Sequence, residues 1–161
     1  MALPTLVFAS SGAAADFDHD GKLDLVLGYY SSAGLVQVLS GKGDGTFFLN
    51  TNLVAGSMPL NVAVGDFNGD GNPDIVALSQ SGQPSCVFLG DGHGRFGAKT
   101  NLAASGNSIA VGDFNRDGKD DLVVAYAGGA VAVFQARAMA VLGLRLVIPS
   151  GRARIGLQLA T

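Results

Sequence analysis

The sequence predicts an all-β protein built from about three repeated units, each of four short strands. An aspartate-rich loop occurs three times, as DFDHDGKLD at 16–24, DFNGDGNPD at 66–74 and DFNRDGKDD at 113–121. Each loop is flanked by short apolar runs, and a glycine turn follows in the first two units. Successive loops start 50 and then 47 residues apart (16 to 66, 66 to 113). A period of about 50 residues with several short strands is typical of repeated β-sheets rather than of helical repeats.

The first two strands of each unit flank the aspartate loop. LNVAVGDF at 60–67 and NSIAVGDF at 107–114 lead into the second and third loops, and the shorter GAAADF at 12–17 leads into the first. The runs LDLVLG, DIVALS and DLVVAY follow the loops and are apolar or β-branched almost from end to end. Such continuous apolar runs predict strands that are buried on both faces.

A third strand and a glycine turn complete the pattern. GLVQVLS at 34–40 and SCVFLG at 85–90 predict the third strand. GKGDGTF at 41–47 and GDGHGRF at 90–96 predict a tight turn into an outer strand. In the third unit this turn is due near 137–143, where the sequence is RAMAVLG. Each unit is therefore predicted as strand, aspartate loop, strand, turn, strand, glycine turn and outer strand.

The aspartate loops are predicted metal sites. All 13 acidic residues are Asp, and ten of them occupy the first, third, fifth or ninth position of a loop. Carboxylates this close repel one another unless a cation lies between them. Short side chains at every second position converge on one point when the backbone curls, and the glycine at the sixth position permits the turn. The predicted ligands are the side chains of Asp16, Asp18, Asp20, Asp24, Asp66, Asn68, Asp70, Asp74, Asp113, Asn115, Asp117 and Asp121, with the backbone carbonyls of Lys22, Asn72 and Lys119.

The donor set predicts calcium, with about three ions for the three loops. An all-oxygen site with several carboxylates suits calcium, whereas zinc prefers His or Cys and magnesium keeps several waters. An EF-hand shares the D-x-D-x-D-G opening but needs a bidentate acid at position twelve and flanking helices. Here the twelfth positions are Leu27, Ala77 and Val124, so an EF-hand is excluded. Polar turns without metal are the competing interpretation, which three copies in one register disfavour.

The motif resembles a known repeat family. The pattern V-x-x-G-D-F-N-x-D-G-x-x-D-[IL], a later G-x-G-x-x-F and the trace FGA at 96–98 are similar to the FG-GAP repeats of integrin α-subunit β-propellers and their bacterial relatives. The resemblance covers roughly residues 5–135. It implies four-stranded propeller blades, a calcium ion bound by each loop at the positions named above, and a binding surface at the top of the propeller.

The repeat is predicted to cover residues 1–135, with blade units at about 5–50, 51–99 and 100–135. Residues 136–161 are predicted to form a diverged C-terminal segment, either a hairpin or a cap, because they carry four Arg and no acid. Closed propellers have about four to eight blades. Three blades therefore predict a partial propeller, which is either part of a longer chain or completed by self-association.

No catalytic constellation is found, so the chain is expected not to be an enzyme, and no organic cofactor is predicted. There is no Ser-His-Asp order or G-x-S-x-G elbow, and Glu is absent. His19 occupies the fourth loop position, where Gly69 and Arg116 stand in the other units, so both it and His93 in the glycine turn are assigned to solvent-exposed turns. The repeat has no basic stripe for nucleic acid and no apolar run of about 20 residues for a membrane span.

The expected function is a calcium-binding extracellular module for protein or glycan binding, including cell adhesion. Calcium sites of about 10⁻⁴–10⁻³ M are filled outside the cell. The alternatives are the non-catalytic scaffold of a secreted carbohydrate- or lipid-active enzyme, and a lectin with sugar held between blades. Aromatic residues mark two positions of the repeat. The phenylalanines at the second loop position are predicted to pack between blades, and they are Phe17, Phe67 and Phe114. The tyrosines at a strand end are predicted to form an aromatic surface, and they are Tyr29, Tyr30 and Tyr126.

Overall fold

The computed structural model describes residues 9–56, 58–80, 82–137 and 141–148, with the backbone alone for 137 and 141–148. These residues form twelve β-strands and no helix, so none of the described chain is a helix able to cross a membrane. The strands are β1 (Ala9–Ala15), β2 (Asp24–Tyr29), β3 (Leu35–Gly41), β4 (Phe47–Val54), β5 (Pro59–Gly65), β6 (Asp74–Ser79), β7 (Ser85–Phe88), β8 (Thr100–Leu102), β9 (Ser108–Gly112), β10 (Asp121–Ala125), β11 (Val131–Arg137) and β12 (Val141–Ile148).

The strands form three four-stranded antiparallel sheets, each in chain order. Sheet I contains β1–β4, sheet II contains β5–β8 and sheet III contains β9–β12. In each sheet an aspartate loop joins the first two strands, as predicted. Two predicted unit boundaries fall inside strands, since residue 50 lies in β4 and residue 135 lies in β11. β12 lies beyond the predicted end of the repeat and is the fourth strand of sheet III, while 149–161 lie outside the described residues.

Sheet II is packed between the other two sheets, and β6 is its central buried strand. All six residues of β6 are buried, which confirms the prediction from its continuous apolar run. Successive side chains of a strand point to opposite faces. Ile75 and Ala77 accordingly pack in the core shared with sheet I, and Val76 and Leu78 pack in the core shared with sheet III.

The phenylalanine at the second loop position packs against the following sheet in the chain, if the described residues include one. Phe17 lies in the core between sheets I and II, and Phe67, with 0% of its surface exposed, lies in the core between sheets II and III. Phe114 was predicted to be buried in the same way, but 57% of its surface is exposed. It projects from the outer face of sheet III, where no further sheet lies within the described part of the chain.

A buried aspartate ties each loop to the third strand of its sheet. The N–H of Phe17 donates to Asp24 Oδ2 at 3.0 Å, and the N–H of Gly41, at the end of β3, donates to Asp24 Oδ1 at 2.8 Å. Asp74 and Asp121 make the matching pair of hydrogen bonds in sheets II and III. Because buried carboxylates need hydrogen-bond partners, this ninth-position residue fixes the loop against the end of the third strand.

Phe67→Ala is expected to lower the free energy of unfolding by about 3–5 kcal/mol, because it leaves a cavity between sheets II and III. Phe48→Ala is the matched control, since it removes the same ring from β4, where 52% of Phe48 is exposed. The control is expected to change stability by less than about 1 kcal/mol. Urea unfolding followed by circular dichroism measures both variants, and equal losses would contradict the packing described here.

Candidate functional site

The three aspartate loops follow the same backbone path. They are loop I (16–24), loop II (66–74) and loop III (113–121). The sixth residue of each is a glycine with φ of 82° or 83°, in the left-handed region that favours glycine. The fourth residue is also left-handed, with φ of 56° at His19, 78° at Gly69 and 62° at Arg116. The repeated pair of left-handed residues curls each loop tightly, and His19 and Arg116 adopt this conformation despite their Cβ atoms.

Loop I brings three of its predicted ligands together. Carboxylate oxygens of Asp16, Asp18 and Asp24 all lie within 4.8 Å of one another. The Asp16 carboxylate accepts the N–H of Asp20 at 3.1 Å and the N–H of Gly21 at 2.9 Å, which keeps it turned into the loop. The structure does not bring the Asp20 carboxylate into this cluster.

Asp20 forms an ion pair with Lys22 at the loop surface instead. The side-chain hydrogen bond from Lys22 Nζ, together with the Lys22 N–H at 2.9 Å, lowers the pKa of Asp20. Both side chains are exposed, so this ion pair contributes little to stability and would not prevent Asp20 from turning toward a cation. The predicted role of Asp20 as a ligand therefore stays a prediction.

Loops II and III repeat the same internal hydrogen bonds with Asn at the third position. Asp66 accepts the N–H of Gly69 at 2.7 Å and of Gly71 at 2.8 Å, and Asn68 Oδ1 accepts the N–H of Asp70 at 2.8 Å. The seventh residue, Asn72, donates its N–H to Asp70 Oδ1 at 2.8 Å. Loop III makes the matching hydrogen bonds, and the residues that take part are Asp113, Asn115, Asp117, Lys119 and Asp121.

The electrostatics of the loops favour a bound cation. Burial raises the pKa of Asp74 to about 6, and the charges of Asp70 and Asp66 add to the rise. Partial burial also raises the pKa of Asp18, and the neighbouring carboxylates of Asp20 and Asp24 contribute in the same direction. A divalent cation among these oxygens would remove the repulsion. The donors are carboxylate, amide and carbonyl oxygens, so they fit calcium better than zinc.

A second feature lies at the opposite end of β6 from loop II. An open cleft of about 510 Å³ is bounded by the β6–β7 turn, the connection from β8 to β9, and Tyr126 at the end of β10. Gln83, Asn101 and Ser105 supply amide and hydroxyl groups to its wall, and none of the lining residues is charged. Burial raises the pKa of Tyr126 above its ordinary value. The cleft thus combines one aromatic ring with several neutral hydrogen-bonding groups.

The three tyrosines predicted to form an aromatic surface have different environments. Tyr29 is buried, and Tyr30 is exposed and donates its hydroxyl proton to Gln80 Oε1 at 2.7 Å. Tyr126 is the one that lines the cleft. Gln83 and Asn101 were not predicted, because the cleft joins segments whose spacing in the sequence carries no signal.

Asp120 is a further residue that the sequence analysis did not single out. It lies at the eighth position of loop III, outside the predicted ligand slots, and its N–H donates to the carbonyl oxygen of Asp66 at 2.8 Å. The sequence contained only a weak indication that Asp120 has a role of its own. Asp120 is one of three Asp that the repeat leaves unassigned, and the matching positions in loops I and II are Leu23 and Pro73.

Comparison with protein-family models matches the FG-GAP-like repeat to residues 16–77 and 66–124. No curated protein matches the chain. Among solved structures, the chain is similar to an Agrocybe aegerita lectin whose structure is described as showing specific recognition of non-reducing terminal N-acetylglucosamine. The TM-score is 0.60 at 18% identity, and the match covers 87% of this chain but 38% of the lectin chain, so it indicates a shared fold. The two family matches together span residues 16–124, and the chain therefore belongs to the FG-GAP-like repeat family.

Proposed function

We propose that this chain is a calcium-stabilised β-propeller module that works outside the cell and binds a glycan in the cleft beside Tyr126. The observation that carries the proposal is a neutral cleft, lined by one aromatic ring and several amides, on a fold shared with a lectin. The proposal assigns no reaction to the chain. Adhesion through a protein ligand is the second form of the same binding role, and it would use the same end of the sheets.

The packing of the sheets supports their assignment as propeller blades. The first strands of the sheets lie next to one another, as innermost strands around an axis do. The N–H of Val62 in β5 donates to Ser11 Oγ in β1 at 3.2 Å, and Asn61 Nδ2 donates to the carbonyl oxygen of Asn107, just before β9, at 2.8 Å. Sheets I and III each leave one face without a neighbouring sheet among the described residues.

The uncovered faces support completion of the propeller by further blades. Phe114 and Val123 are on the outer face of sheet III, and Leu25 and Leu27 are on the outer face of sheet I. Repeat units of this type bury their apolar faces against a neighbour. We propose that further blades cover both faces, supplied either by a second copy of the chain or by a longer chain. Two copies would provide about six blades, which lies within the range of closed propellers.

Calcium is proposed at the three loops because carboxylate oxygens converge in loop I, and because loops II and III repeat its backbone path and internal hydrogen bonds. The clustered carboxylates of Asp16, Asp18 and Asp24 are the clearest case. Asp24, Asp74 and Asp121 are fully buried beside their loops, so a cation there would stabilise the folded state. Free calcium is about 1 mM outside the cell, enough to fill sites of roughly 0.1 mM affinity.

A glycan is proposed because the chemistry of the cleft matches that of a neutral sugar. The C–H face of a pyranose ring packs on an aromatic ring, and its hydroxyls exchange hydrogen bonds with amides and hydroxyls. Tyr126, Asn101 and Gln83 provide those groups without a charge that a neutral sugar would leave unpaired. At the corresponding place in sheet I the β2–β3 turn lies directly against the β4–β5 connection, since a Cβ at Gly34 would overlap the carbonyl oxygen of Gly56.

Calcium is expected to raise the melting temperature by about 10 °C relative to EDTA. Each site with an affinity of roughly 0.1 mM contributes about 1.4 kcal/mol at about 1 mM calcium, so three contribute about 4 kcal/mol. Differential scanning calorimetry measures the shift, and light scattering of the same samples gives the particle mass. A melting temperature that is the same in calcium and EDTA would contradict structural metal sites, and a monomeric mass would contradict completion by a second copy.

Asp70→Ala is expected to lower the calcium stoichiometry by one, from about three ions to about two, because it removes a predicted ligand of loop II. Isothermal titration calorimetry measures the number of sites. Asp91→Ala is the matched control, since Asp91 caps the glycine turn through the N–H of His93 at 2.8 Å and belongs to no aspartate loop. An unchanged stoichiometry in Asp70→Ala would show that this residue is not a ligand.

Tyr126→Ala is expected to weaken the binding of N-acetylglucosamine about tenfold, because it removes the aromatic ring of the cleft. Tyr30→Ala is the matched control, since Tyr30 is an exposed tyrosine at the same end of sheet I but outside the cleft. Saturation-transfer NMR with the free sugar detects binding, and a titration gives the affinity. Equal effects of the two substitutions, or no transfer to the wild-type chain, would contradict a glycan site here.

A further inference from the structure

Loops II and III are joined by a reciprocal pair of hydrogen bonds through one residue. The N–H of Asp66 donates to Asp120 Oδ2 at 2.9 Å, and the N–H of Asp120 donates to the carbonyl oxygen of Asp66 at 2.8 Å. Asp66 is the first residue of loop II, and its carboxylate accepts the N–H groups of Gly69 and Gly71. Asp120 is therefore hydrogen-bonded to both the backbone N–H and the backbone carbonyl oxygen of Asp66, the residue whose carboxylate organises loop II.

The surroundings leave space for this contact. A Cβ atom at Gly65 would lie 2.6 Å from Val111 Cγ1 and 2.9 Å from Asp120 Oδ2, closer than such atoms approach one another. The glycine before loop II thus makes room for the side chains of both Val111 and Asp120. The Lys119 side chain adds to the contact, since its Cε would lie 3.0 Å from a Cβ at Gly69.

Loops I and II cannot make the same contact, because they have different residues at the two positions involved. The residue before loop I is Ala15, and the eighth residue of loop II is Pro73. Proline has no N–H to donate and no carboxylate to accept, so it can make neither of the two hydrogen bonds. Loops I and II are joined differently, through His19 Nε2 and Asn72 Oδ1 at 3.1 Å. The combination of Gly65 and Asp120 is therefore particular to the interface between sheets II and III.

We infer that Asp120 is a positioning residue for loop II and that it couples cation binding at loops II and III. The inference rests on the proposed calcium binding. Asp120 precedes Asp121, the ninth-position residue of loop III, so a cation that orders loop III also fixes the group that holds Asp66. By linkage, a cation in loop II fixes Asp120 to the same extent, and each site raises the affinity of the other.

The experiment is a calcium titration of the full chain followed by two-dimensional NMR. The amide of the sixth-position glycine reports each loop separately, with Gly21 for loop I, Gly71 for loop II and Gly118 for loop III. Asp120→Ala is expected to raise the calcium concentration at half-shift of Gly71 about fivefold, the usual effect of losing one hydrogen bond, and to leave Gly21 unchanged. Asp120→Asn keeps an oxygen acceptor and is expected to restore the wild-type midpoint.

Two further variants test whether the loss of a negative charge alone moves the Gly71 midpoint, and whether calcium binding at loops II and III is coupled. Asp44→Ala removes one acid from the glycine turn of sheet I, where Asp44 accepts the N–H of Thr46, and is expected to leave the Gly71 midpoint unchanged. Asp117→Ala removes a ligand from loop III and is expected to raise the Gly71 midpoint in the wild-type background but not further in Asp120→Ala.

The outcomes distinguish this inference from the proposed function. A Gly71 midpoint that Asp120→Ala does not move, or that Asp120→Asn raises as much as Asp120→Ala, would overturn the positioning role while calcium binding stands. If Asp120→Ala does not fold, the coupling is tested by Asp117→Ala alone, and an unmoved Gly71 midpoint there would also overturn the inference. If none of the three glycine amides responds to calcium in the wild-type chain, the proposed calcium binding fails and the inference fails with it.

Discussion

The ninth-position aspartate of each loop links the loop, the third strand and the core between the sheets. Its two carboxylate oxygens accept one N–H from the loop and one from the end of the third strand, as Asp24 does for Phe17 and Gly41. A buried carboxylate is costly unless it is fully hydrogen-bonded or close to a cation. The sheet thus supplies half of its partners, and the curled loop supplies the other half together with the oxygens that favour a cation. The conformation of the loop and its position against the third strand are therefore linked through one residue.

Stacking of the sheets follows from alternation along their central strands. β6 is buried on both faces, so Ile75 and Val76 contribute to different cores and hold sheet II between its neighbours. The phenylalanine at the second loop position fills the same space at each interface, which explains why Phe17 and Phe67 are buried. Since the ninth-position aspartate binds the N–H of this phenylalanine, the loop and the inter-sheet core are held together as one unit.

The two candidate functions of the chain lie at opposite ends of the sheets. The aspartate loops connect the first two strands at one end, and the cleft beside Tyr126 lies at the other, between the β6–β7 turn and the connection to β9. The proposed cation sites are therefore separate from the surface that would meet a ligand. At the end that carries the aspartate loops, neighbouring repeats contact each other directly, as Asp66 and Asp120 do.

Features that depend on local spacing could be predicted from the sequence. The all-β class, the strand order within each unit, the position of the loops and the glycine at their sixth position all follow from periodicity and turn chemistry over about ten residues. Features that depend on residues far apart in the chain became visible only in the folded structure. It left Phe114 exposed, kept Asp20 out of the carboxylate cluster, placed Asp120 against Asp66 and formed the cleft around Tyr126. These outcomes depend on how one sheet packs on the next, and a single repeat does not encode its neighbour.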